Sequence, residues 1–202
     1  MRLPNSVHAE HPWRIHEISA DFRLYDVWAL PTPGGRDDFA QLIQMVSTDD
    51  TSNNPSWIAR MLFSIRWKLG EILGWDDPDR GVGRRVPTLR DRLPDDLRDA
   101  APGPDFDRLP FSSVFLTDNE FAAEMANSTM HGIMHLTWVP DDNGGYRGQM
   151  AVLVRPNGVF GNAYMAAIAP FRHLLVYPPL MRGIGQDWRA LTARNSPSSL
   201  PR

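Results

Sequence analysis

Hydrophobic and polar positions change rhythm several times along the chain, and each change predicts an element. Residues 22–30 are rich in aromatic and branched side chains and stop at Pro31-Thr32-Pro33-Gly34-Gly35, which predicts a strand ending in a turn. Residues 37–46 switch to helical spacing, with Phe39, Leu42, Ile43 and Val46 on one face. After a polar run, Pro55-Ser56 opens a second predicted helix. Its stripe is Ile58, Met61, Leu62, Ile65, Leu69 and Ile72, and Gly74 stops it. Residues 76–110 are rich in proline and glycine, with one short helical piece near 95–100, and read as a long excursion over the surface.

Period-two alternation then takes over. Residues 113–117, 120–126, 129–139 and 146–155 predict an antiparallel meander, with turns at Asn127-Ser128 and at 141–145. One helical turn is the alternative for the segment 120–126, because Thr117 and Glu120 match a capping box. From 158 to about 191 the chain is apolar and helical, with Leu175 and Leu180 among the residues spread around it. Pro170 and the pair Pro178-Pro179 are expected to kink or segment it. Residues 1–12 and 193–202 lack periodicity and are expected as disordered tails flanking one α+β domain over 13–192.

Composition narrows the function classes. A chain of 202 residues that is 42% hydrophobic fills one sizeable core. A net charge of -3 supplies no basic field for a phosphate backbone, so nucleic acid is not an expected partner. The absence of cysteine excludes disulfides, thiolate metal sites and a cysteine nucleophile, and fits a cytoplasmic setting. Residues 1–10 lack the apolar run of a signal peptide. Residues 156–181 carry only Arg172 and His173 as chargeable groups. The prolines interrupt that stretch too often for a comfortable membrane span, leaving peripheral contact as a minor option.

The element order is similar to the helix-grip fold of the START and polyketide-cyclase-like (SRPBCC) superfamily. Pro55-Ser56-Trp57, Arg66-Trp67-Lys68-Leu69-Gly70 and Leu73-Gly74-Trp75 go further. With Gly158-Val159-Phe160-Gly161-Asn162-Ala163-Tyr164 and Pro170-Phe171-Arg172-His173, they resemble an uncharacterised bacterial family assigned to that superfamily. The resemblance implies a curved antiparallel sheet wrapped on a long C-terminal helix around a cavity. It also implies a small apolar or amphipathic ligand, such as a lipid, isoprenoid or polyketide-like compound. Residues expected to line the cavity are Phe160, Tyr164, Ile168 and Phe171, with Trp138, Arg147 and Gln149 from the sheet. An alternative is a cyclase or isomerase in which a cavity histidine or acid moves a proton. Relatives fused behind NAD-binding domains suggest a third class, a non-catalytic partner of an NAD-dependent oxidoreductase.

Candidate catalytic residues are His131, His135 and His173. On a helix, His131 and His135 could share a metal; on the strand that their alternation predicts they stand about 13 Å apart. Gly132 also occupies the position where the zinc-protease pattern needs glutamate. No metal or cofactor is therefore expected. His131, His135, Arg147 and Gln149 form a polar stripe that binds a carboxylate or carbonyl if it faces inward. The more apolar face normally takes the core, so a solvated stripe is the leading expectation. Asp26, Glu124, Glu17 and Asp21 are acids that could pair with a histidine. His173 either reaches a ligand between helix and sheet or caps a carbonyl freed by Pro170. Gly81-Val82-Gly83-Arg84-Arg85 lacks the strand and third glycine of a dinucleotide loop, and neither a phosphate-binding lysine loop nor a serine-nucleophile elbow occurs.

Overall fold

The computed structural model describes residues 1–48, 86–106, 109–126, 130–158, 161, 165–166, 169–170 and 172–195. Alternation in the second half of the chain builds the sheet. β3 (Ser112–Leu116), β4 (Glu120–Ala126), β5 (Met130–Pro140) and β6 (Tyr146–Pro156) follow one another as a meander. β2 (Arg23–Ala29) pairs with the free edge of β6, and β1 (Arg2–Leu3) pairs with β2. The six strands form one antiparallel sheet in the order β1-β2-β6-β5-β4-β3. The capping-box residues form a hairpin turn instead of a helix start. Thr117 N donates to Glu120 O at 2.8 Å, and Glu120 N donates back to Thr117 Oγ1 at 3.0 Å.

The sheet is covered on both faces. One side carries Trp28, Leu136, Trp138 and Met150 against α2 (Phe39–Ser47) and the C-terminal helix. α1 (Ser6–Ala9) and α3 (Asp95–Arg98) are single turns, and the C-terminal helix is α4 (Tyr177–Asn195). α4 supplies Met181, Ile184 and Trp188 to this layer. Its Pro178-Pro179 pair follows directly on a π-helical turn, Arg172–Val176, so the N–H groups the prolines lack fall where the helical hydrogen-bond ladder is already irregular. The indoles of Trp138 and Trp188 donate to Gly35 O and Pro33 O at 2.9 and 2.8 Å, tying the predicted turn to both sheet and helix. Gly148 is required where α2 crosses β6, since a Cβ there would sit 2.8 Å from Leu42 and 2.9 Å from Leu30.

The opposite face is sealed by two segments expected to be peripheral. Residues 13–22 lay down Trp13, Ile15, Ile18 and Phe22, and residues 89–97 lay down Leu89, Leu93 and Leu97 over Val27, Phe115, Ile133 and Leu153. The N-terminal residues are thus no disordered tail: β1 extends the sheet and His8 of α1 is fully buried. The described part of the proline-rich excursion is likewise a covering layer. Asp21 bridges Arg92 and Arg155 at 2.6 Å each, stitching the two straps to β6. Among the described residues no helix is long and apolar enough to cross a membrane. The predicted helix opened by Pro55-Ser56 lies outside the described residues.

Candidate functional site

Two buried clusters of titratable side chains lie on opposite faces of the sheet. The first is the polar stripe of β4 and β5, which faces neither α4 nor solvent but the two straps. Glu124 is fully buried and accepts from His131 Nε2 at 2.6 Å, from Leu89 N at 3.0 Å and from the Thr88 hydroxyl. Glu120 accepts from His135 Nε2 at 3.1 Å and from Arg14 N at 3.1 Å. Each glutamate thereby receives the first N–H of a 3₁₀ turn, Leu89–Arg92 or Arg14–Glu17, at the turn's positive end. His135 Nδ1 continues the chain to His8 Nε2 at 2.9 Å.

Electrostatics follow from this sealing. Burial and the neighbouring histidines push the His8 imidazole down to about 3, and burial likewise lowers His135. Burial alone would raise Glu120. The hydrogen bond from His135 and those from the Arg14 and Ile15 N–H groups outweigh it and hold the carboxyl below its ordinary value. Glu120 is thus an ionised carboxylate anchoring the neutral imidazoles of His135 and His8.

The second cluster lies on the α4 side, around Asp26 of β2. A bulge between Leu24 and Asp26 turns this strand, a feature common beside functional sites. Asp26 is fully buried. Tyr177 Oη donates to its Oδ2 at 3.1 Å, Arg172 lies 3.4 Å from the same oxygen, and His173 Nε2 lies 3.2 Å from Oδ1. Arg2 reaches Oδ1 at 3.7 Å from the neighbouring β1. Arg172 and His173 come from a π-helical turn, Arg172–Val176, that runs into α4. Such turns are frequent where a helix presents side chains to a site. Trp28 completes the wall, its ring 4.6 Å from Tyr177 and 6.3 Å from His173. Burial, and then the Asp26 charge, raise the Tyr177 phenol so that it stays protonated.

Residues 18–179 match a family model described as protein of unknown function (DUF2867). The chain belongs to this family. No curated protein matches the chain, and no solved structure does. The DUF2867 segment contains Asp26, Trp28, Arg172, His173 and Tyr177, whereas Arg2, His8 and Arg14 precede it.

The structure separates the residues that the sequence reading grouped. His131, His135 and Gln149 lie buried on the strap side, each histidine with its own glutamate. The Gln149 amide, 1% exposed, has no hydrogen-bond partner among the described residues. Arg147 is half-buried, with Nη1 3.4 Å from Gly148 O. Trp138 is on the α4 side, packed between Phe39 and Trp188. Phe160, Tyr164, Ile168 and Phe171 lie outside the described residues. Among the described residues, no group of three or more histidines and acids is placed to hold a metal ion. Of the acids, Asp26 does meet His173 and Glu124 does meet His131. Sequence reasoning missed Tyr177, Arg172 and Trp28 as site residues. The available signal was one aspartate inside an apolar strand, facing a helix start with Arg, His and Tyr at positions 172, 173 and 177.

Proposed function

We propose that the protein clasps a small amphipathic molecule between β2 and the start of α4, in the manner of a helix-grip domain, and transfers a proton on it. The Asp26–His173 pair is the acid–base centre. The observation that carries this reading is a contrast in access. The strap-side histidines His8, His131 and His135 are 0 to 1% exposed, whereas the His173 side chain is 26% exposed while its partner Asp26 is fully buried. Asp26 Oδ1 lies 3.2 Å from His173 Nε2, close enough for its charge to act on the ring though without hydrogen-bond geometry, and the other ring nitrogen is left to act as a base. His173 Nδ1 is that other nitrogen; it is itself buried, the exposure of the ring lying on its other atoms, and it has no hydrogen-bond partner among the described residues.

The chemistry suited to this geometry is proton transfer next to a carbonyl. The C–H bond breaks, its proton goes to His173 Nδ1, and the electron pair moves onto the carbonyl oxygen. Return of the proton from Nδ1 to carbon restores the imidazole. Trp28 Nε1, buried and unpaired, is a donor for the oxygen on which charge develops. The apolar wall of Trp28 and Tyr177 suits a molecule with a hydrophobic body.

The test is proton NMR in deuterated buffer with a panel of 3-oxo acids, their esters and aliphatic ketones. At least one compound should lose its α-proton signal faster with protein than in buffer. The Asp26→Asn and His173→Gln variants, checked for folding by circular dichroism, should return that rate to the buffer value. Exchange no faster than buffer across the panel, or folded variants that match the wild type, would overturn the proposal.

A further inference from the structure

What chemical group the clasped molecule presents can be read from the donors left over around Asp26; this inference rests on the clasp proposed above. Four polar atoms there are buried and have no hydrogen-bond partner among the described residues: Trp28 Nε1, Arg172 Nε, His173 Nδ1 and Asp26 Oδ1. The indole and guanidinium nitrogens can only donate. Asp26 is the acceptor they surround, and it is already engaged by Tyr177 and approached by Arg172, His173 and Arg2. Two of the unpaired atoms, Trp28 Nε1 and Arg172 Nε, are thus obligate donors that Asp26 does not take up.

Charge points the same way. Two guanidiniums, from Arg2 and Arg172, face one carboxylate, which leaves a positive excess before any proton on His173 is counted. Arg172 is 14% exposed and its guanidinium lies 5.2 Å over the Tyr25 ring, which limits the directions in which the fork can point. A hydroxyl or a neutral carbonyl would satisfy a donor without removing the excess charge. A carboxylate does both, because it accepts through two oxygens and pairs with the guanidinium.

We propose that the molecule taken up between β2 and α4 carries a carboxylate, held by Arg172 beside the Asp26–His173 pair. The substrate class is then an amphipathic oxo acid. Its carboxylate sits on Arg172, its carbonyl oxygen on Trp28 Nε1, and the exchangeable carbon beside His173. Arg172 is in this scheme a specificity residue for the charged end.

Decanoate and 1-decanol separate the charged end from the apolar body. Binding is followed by calorimetry and by the indole N–H resonance of Trp28, assigned with Trp28→Phe. The wild type should bind decanoate at least about tenfold more tightly than decanol. Arg172→Gln should abolish that preference while leaving decanol affinity unchanged, and Arg172→Lys, which keeps the charge but not the fork, should fall between them. Each variant is checked for an unaltered melting temperature. Equal affinity of the wild type for the acid and the alcohol, or an equal loss of both in Arg172→Gln, overturns the carboxylate while leaving the clasp standing. Binding of neither probe overturns both.

Discussion

Acidification is expected to weaken the grip of the N-terminal strap through His8 before any carboxylate titrates. His8 is fully buried, with Nε2 on His135 and its ring edge-on to His16, 5.1 Å between centroids. The groups facing it are His135 from β5, His11 and His16 from its own segment, and Glu120 one hydrogen bond further on. A proton on His8 would therefore sit among imidazoles in a desolvated space. In the unfolded chain the same imidazole titrates at 6.5; in the fold it is pushed down to about 3. Because the folded value is the lower one, the unfolded state binds more protons throughout the interval, so stability is complete above 6.5 and is lost as pH falls toward 3. Linkage gives a loss of about 2 kcal/mol on moving from about pH 7.5 to about pH 5, and about 3 kcal/mol by about pH 4.

The assay is urea unfolding followed by tryptophan fluorescence, in wild type and His8→Gln, at both ends of the upper interval. Glutamine keeps a donor for His135 without a titrating ring, so it should lower stability at neutral pH by about 1 kcal/mol yet remove the acid-induced loss of about 2 kcal/mol that His8 contributes. Glu120 does not confuse the comparison, because its carboxyl is held below its ordinary value of 4.5. His135 shifts in the same direction as His8 and persists in both proteins. Parallel pH dependences in the two proteins would refute the reasoning. So would an NMR titration showing His8 of the folded protein protonating at or above 6.5.

Two further predictions concern the layers themselves. Glu124→Ala should cost about 3 kcal/mol or more in the same unfolding assay, since His131, Leu89 N and the Thr88 hydroxyl all lose a buried acceptor; a cost under about 1 kcal/mol would mean that water replaces the carboxylate freely. Gly148→Ala should cost about 1 to 3 kcal/mol by pushing on Leu42, Leu30 and Thr32, whose hydroxyl also accepts from Gly148 N at 3.0 Å. Wild-type melting behaviour in that variant would show that α2 can retreat from β6 without loss.

The strands and α2 were legible in the sequence because each makes its own case locally. Alternation over 130–140 and 146–156 and the spacing of Phe39, Leu42 and Ile43 need no distant partner to be recognised. The straps make no such case. β1 has two residues and α1 four, and the turns at Arg14–Glu17 and Leu89–Arg92 hold their shape because Glu120 and Glu124 receive their first N–H groups. Their apolar residues were nonetheless in view, with Leu89, Leu93 and Leu97 recurring every fourth position among the prolines.

That hidden layer is also why the polar stripe invited the wrong environment. A strand that alternates Met134, Leu136 and Trp138 with His131, His135 and Thr137 has the pattern of a sheet with one wet face. The pairing register decides otherwise: Glu120 stands opposite Thr137, diagonal to His135, and Glu124 stands opposite Ile133, diagonal to His131. Each imidazole can then reach a carboxylate on the next strand, so the stripe enters the interior in satisfied pairs. Register is a tertiary property and is invisible in the spacing of one strand. The Asp26 cluster depends on still longer range, joining β2 to a helix start 151 residues away. An aspartate within the apolar run Asp26-Val27-Trp28 was the part of it that sequence could announce, because a buried carboxylate must find donors somewhere.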